Sequence, residues 1–142
     1  MPAPDRKRLA RLQRLEKVRA VARQTAAAEA AAAEGTLAQL LALADRTRQL
    51  ASGYAARREL GDGSALRQLT SFRAGLDGVA RGTTADAGRA RALADRKLTE
   101  LAEAERRRQA AETRAIAERR ALAGQQHVAP LTARRALGTD IE

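Results

Sequence analysis

From Arg6 to Leu60 the chain contains no proline, and small or apolar residues recur at spacings of three and four. The series runs Leu12, Leu15, Ala22, Ala26, Ala33, Thr36, Leu40, Leu43, Thr47, Leu50 and Tyr54. That spacing keeps one stripe on one face of a helix, as a coiled-coil seam requires. Arg19 and Glu29 interrupt the series, and Leu9, Leu37 and Leu41 widen it. A second proline-free stretch runs from Ala65 to Gly124, with a seam at Leu69, Phe72, Leu76, Val79, Thr83, Asp86, Ala90 and Leu93. It then shifts to Ala94, Leu98 and Leu101, and such a stutter changes the local supercoil winding. Between the stretches lies Gly61-Asp62-Gly63-Ser64. Glycine takes a left-handed cap conformation at little cost, and Asp or Ser can start the next helix. Asp5 is placed to cap the first helix. Gly124 is placed to end the second, and Pro130 and Gly138 mark a tail beyond it.

The pattern predicts an all-α fold, a long antiparallel two-helix coiled-coil hairpin. Its parts are a tail over 1–5, a helix over 6–60, a turn over 61–64, a helix over 65–124 and a flexible tail over 125–142. At 1.5 Å per residue the two helices reach roughly 80–90 Å each. Near-equal lengths on either side of a glycine turn suit pairing of residues whose numbers add to 122. Leu50 then faces Phe72, Leu43 faces Val79, and Thr36 faces Asp86. The alanine block over 26–33 meets Ala90, Ala92 and Ala94, and alanine against alanine allows close helix approach.

Composition favours this picture over a globular core. Apolar residues make up 44% of 142, but 36 of them are alanine, with one Phe, one Tyr and no Trp. Alanine offers little area to bury, so modest stability and a need for partners are expected. With no cysteine there is neither a disulfide scaffold nor a thiolate metal site. The N-terminal residues lack the apolar segment of a secretory signal, and no apolar run approaches the ~20 residues that span a bilayer.

Catalytic chemistry is not visible. The glycines do not form a phosphate-binding loop. His127 is the single histidine and would lack companion metal ligands. Glu100, Glu103 and Glu105 sit among arginines, as surface ion pairs do. The chain therefore reads as non-enzymatic, with no cofactor and no small-molecule substrate. Gly75, Gly78 and Gly82 lie beside the seam, either as a soft stretch of helix or as a groove for a partner backbone.

Net charge is +10. Residues 5–24 carry eight basic residues against two acidic, and 106–120 carry six against two. Those two excesses account for the whole net charge. An antiparallel hairpin brings both segments to one end, giving a basic tip suited to an acidic surface.

The opening Leu12-Gln13-Arg14-Leu15-Glu16-Lys17-Val18-Arg19, the alanine-rich first helix and the hairpin over 6–124 resemble the stalk proteins of the flagellar type III export apparatus (the FliJ family) and their injectisome counterparts. That family carries a turn-proximal patch, Gln-x3-Leu-x2-Tyr-x3-Tyr on one helix and Phe-x3-Leu-x2-Ala-x3-His on the other. Here Gln39 and Leu43 match, while Arg46 and Leu50 replace tyrosines. Phe72 and Leu76 match, Val79 stands for alanine, and Thr83 replaces histidine. The resemblance implies a non-enzymatic cytoplasmic protein, held at the inner membrane face through its partners. Its basic end would dock into the export ATPase ring through Arg6, Arg8, Arg11, Arg14, Lys17, Arg106, Arg107, Arg108 and Arg114. The patch would contact the cytoplasmic domain of the export gate, and export chaperones are further partners in the family. The alternative is a nucleoid-associated protein that sets the same arginines on nucleic-acid phosphates, although no aromatic stacking platform or DNA motif supports it. A coat on lipid or polymer granules is disfavoured, because the face is rich in alanine rather than in bulky apolar residues.

Overall fold

A computed structural model describes residues 3–56 and 63–136. Two helices account for nearly all of them, α1 over Arg6–Ala56 and α2 over Gly63–Ala136, and no strand occurs among the described residues. The two long helices pack antiparallel against each other, as the periodicity predicts.

The helix bounds differ from the expected ones. Leu60, Gly61 and Asp62 lie outside the described residues, while Gly63 and Ser64 belong to the first turn of α2. No described glycine has a positive φ, so Gly63 is not a left-handed cap. α2 does not stop at Gly124 but continues through Pro130 to Ala136. A helical glycine costs only about 1 kcal/mol against alanine. Proline in a helix interior costs about 3 kcal/mol, and α2 nonetheless runs through Pro130. Most of the expected tail over 125–142 is therefore helical.

Contacts divide the chain into two compact units, a terminal unit of Met1–Ala26 with Leu101–Glu142 and a central unit of Ala27–Glu100. In the central unit the α1 seam is Ala30, Ala33, Ala44, Thr47 and Ala51, and the α2 seam is Ala80, Thr83, Ala87 and Ala94, all buried. Half-buried Leu37, Leu40, Leu76 and Ala90 complete the three-four spacing. The buried hydroxyls of Thr47 and Thr83 donate to the Leu43 and Val79 carbonyls of their own helices, each at 2.8 Å. A β-branched polar residue thus sits in a seam without an orphan group.

This register is not the expected one. Tyr54 packs edge-on against Phe72, with ring centroids 4.9 Å apart, and Glu29 pairs with Lys97 at 3.0 Å. Both pairs of numbers add to 126, four more than the expected 122. The shift replaces leucine with alanine along much of the seam. Leu43, Leu50, Phe72, Val79 and Leu93 become 40–54% exposed, and Thr36 and Asp86 also turn outward. The physical gain is that two carboxylates leave the seam, where an unpaired charge is costly. Glu29 moves to Lys97, and Asp86 moves to Arg89. The Lys97 ammonium is also bound by Glu100 at 3.1 Å. The hydrogen bonds that it donates to Glu29 and then to Glu100 raise its pKa above the usual lysine value.

In the terminal unit Leu9, Leu12, Leu15 and Leu101 are half-buried, while Ala111 and Ala115 are buried. Asp5 caps α1 as expected. The Lys7 N–H donates to its Oδ1 at 3.1 Å, and the Leu9 N–H donates to its carbonyl at 2.9 Å.

Candidate functional site

The terminal unit brings the two basic segments together. Every one of the nine expected docking residues lies in it, but they fall into two groups. Arg8 and Arg108 are half-buried and engaged within the unit. Arg8 lies 3.8 Å from Glu118 Oε2, and Glu118 Oε1 accepts the Asp5 backbone N–H at 2.9 Å. Glu118 is buried, so α2 holds the start of α1 through a carboxylate placed at its N-terminus, where negative charge is favoured. Arg108 donates to Glu105 at 2.9 Å and to Glu112 at 3.0 Å, and Arg23 of α1 reaches the same Glu105 at 2.7 Å. Arg8 and Arg23 thus tie α1 to α2, and Arg108 is held by carboxylates of its own helix, so neither Arg8 nor Arg108 presents an unpaired charge to a partner.

The other seven, Arg6, Arg11, Arg14, Lys17, Arg106, Arg107 and Arg114, are exposed and make no ion pair among the described residues. Heptad position separates them from the acids. With the buried Ala115 and half-buried Arg108 at seam positions, Arg107 and Arg114 each immediately precede one, so they share one flank of α2. Glu105 and Glu112 occupy the opposite flank. On α2, Arg107 and Arg114 thus lie on one flank, and Glu105 and Glu112 on the other with Arg119 one heptad beyond them, while the remaining basic side chains add to an exposed surface with a positive excess. Such a face attracts an anionic or acidic surface and repels a basic one.

Hydrogen bonds from Arg108, followed by its charge and that of Arg23, hold the Glu105 carboxyl below its ordinary value. The sign follows from linkage. A depressed carboxyl pKa stabilises the fold above the unfolded value of about 4.3, and that contribution is lost as pH falls through the lower folded value. Thermal melts of the native chain and of Arg108→Ala should therefore differ most at neutral pH and converge below about pH 4. A melting difference that persists unchanged to pH 2 would count against this network.

The eight-residue patch is divided by the observed register. Leu43, Leu50, Phe72 and Val79 are exposed on the central unit. Gln39 and Arg46 are exposed as well, whereas Leu76 is half-buried and Thr83 buried in the seam. The numbers adding to 122 do not mark facing layers, since Leu76 and Thr83 lie in the seam while Gln39 and Arg46 are exposed. The fastenings through Glu118, Glu105 and Lys97 were not foreseen. The pairs Glu105–Arg108 and Arg108–Glu112 carry the three- and four-residue spacings that reveal helix-surface pairs. The cross-helix contacts have no signal of that kind before the register is known.

Among the described residues no helix is long and apolar enough to cross a membrane, and no group of three or more metal-ligating side chains occurs. His127 is exposed. No family model, curated protein or solved structure matches the chain.

Proposed function

We propose that the chain is a non-enzymatic stalk or adaptor of a flagellar-type protein export apparatus. Its terminal unit docks into an acidic export ATPase ring, and its central unit contacts the cytoplasmic domain of the export gate. The observation that carries this reading is the group of seven exposed basic side chains without ion pairs on the terminal unit. The central unit is close to neutral, with eleven basic residues against nine acidic. The two units thus offer different chemistry to different partners. Leu43, Leu50, Phe72 and Val79 are available for the second contact, and the buried Thr83 drops out of it. Export chaperones fit the same apolar chemistry. Work at the cytoplasmic face of the inner membrane, through these partners, follows from the proposal.

The test is stimulation of the cognate export ATPase by the purified protein. Arg11→Glu, Arg14→Glu and Arg107→Glu together should abolish stimulation while leaving the helical circular dichroism signal intact. Absence of both stimulation and co-purification by the unaltered chain would sink the reading. The rival is docking of the same arginines on nucleic-acid phosphates. It requires duplex binding that weakens steeply between about 50 and 200 mM salt.

A further inference from the structure

The central unit departs from a two-stranded coiled coil in one respect. In such a coil the positions beside the seam are charged, because they face water. Here the residue just before each buried alanine is mostly apolar. Leu43 precedes Ala44, Leu50 precedes Ala51, Val79 precedes Ala80, and Leu93 precedes Ala94. In antiparallel helices these positions fall on the same flank of the pair. Phe72, one heptad before Val79, joins them. Exposure runs from 40% at Leu93 to 54% at Val79. The opposite flank is polar, and there Arg48 of α1 donates to the Thr84 hydroxyl of α2 at 2.8 Å. Leu41 and Leu98 lie on that flank too, which also carries Asp77, Arg48, Thr84 and Arg91.

An apolar face covering three of seven positions is the pattern of a helix in a bundle, not of a helix in an isolated pair. The seam positions are filled by alanine, so the third position holds the bulk. We infer that the Leu43–Leu50–Phe72–Val79–Leu93 flank is the interface with a second copy of this chain, closing two helix pairs into a four-helix assembly through their central units. Three observations select a second copy. Among the described residues Asp86 is the one charged residue at these flank positions between 36 and 93, and it is held by Arg89, so nothing described on the flank selects a charged partner. The central unit is nearly neutral, whereas the terminal unit carries the charge that would drive two copies apart. The five residues are 40–54% exposed, a patch of roughly half the ~800 Å² per partner of a stable complex. The stems of Gln39, Arg46 and Arg89 border it and extend it toward that area. The assembly has two-fold symmetry, so the stripe meets itself. This inference goes beyond the export reading: in the free protein a second copy covers the flank that the gate would meet, so gate binding would displace that copy.

Sedimentation equilibrium of the full chain at about 1–100 μM should give the mass of a dimer, by the area argument above. The double variant Leu43→Glu, Leu50→Glu should be monomeric with unchanged helical content. Val79→Glu, acting on the same flank from α2, should weaken dimerisation at least tenfold. Leu41→Glu, on the polar flank, should remain dimeric. A monomer at every concentration of the unaltered chain overturns the inference. So does a dimer that survives Val79→Glu and the double variant but is lost in Leu41→Glu.

Discussion

Leucine at Ala44 and Ala87 is expected to destabilise the central unit by about 1–3 kcal/mol per site. The expectation runs against simple hydrophobic reasoning, because each change adds apolar surface and leucine is nearly as good a helix former as alanine. The seam has no room for it. Ala44 and Ala87 are 2% and 3% exposed, and they sit in a line of alanine and threonine on both helices. A single bulky side chain there must push the helices apart locally and loosen the packing of neighbouring small residues. Leu50→Glu should be nearly silent in helical content, because Leu50 lies outside the seam. In the alternative register that opposes Leu50 to Phe72, the ranking reverses. Urea unfolding followed by circular dichroism at 222 nm separates the two. A midpoint that rises with Ala44→Leu would overturn the alanine seam.

A chain with alanine at Gly75, Gly78, Gly82 and Gly88 should be more stable by about 3–4 kcal/mol in total, since each helical glycine costs roughly 0.8–1.0 kcal/mol against alanine. The structure shows no obstacle at any of the four. An added Cβ would meet nothing within 4 Å, and none has a positive φ. All four face outward from the seam. The gain comes chiefly from the lower conformational entropy of the unfolded chain. Thermal unfolding and amide exchange across α2 would report it, with slower exchange centred on residues 75–88. An unchanged melting temperature would mean that this part of α2 is not helical in solution. If the glycines instead provide a groove for a partner's backbone, the same variant would gain stability and lose that partner. Helix softness and groove are thus separable in one protein.

The helical class, the pairing of two long helices and the cap at Asp5 were legible in the sequence. Proline-free runs and three-four periodicity act locally, and a capping carboxylate needs only its own turn. Register was not legible, for a reason that particular residues make clear. Two stripes run side by side on each helix, Leu43 and Leu50 beside Ala44 and Ala51, then Val79 and Leu93 beside Ala80 and Ala94. Weighting bulky residues picks the leucine stripe and accepts Glu29 and Asp86 in the seam. The fold instead moves both carboxylates to basic partners and brings the small residues together. The basic character of the terminal segments was legible as composition, since fourteen basic residues over 5–24 and 106–120 stand out against four acids. Which arginines are spent on structure was not. Arg8 and Arg108 look like their neighbours until Glu118, Glu105 and Glu112 are placed beside them.

The sequence by itself determined that this protein is helical, that its bulk is alanine and its charge is segregated, because these properties reside in residue type and near-neighbour spacing. The tertiary structure decided which stripe is buried and which is exposed. That choice depends on the whole set of cross-helix contacts, where a shift of a few residues exchanges a leucine seam for an alanine one. The same choice turned five large apolar side chains from a core into a surface.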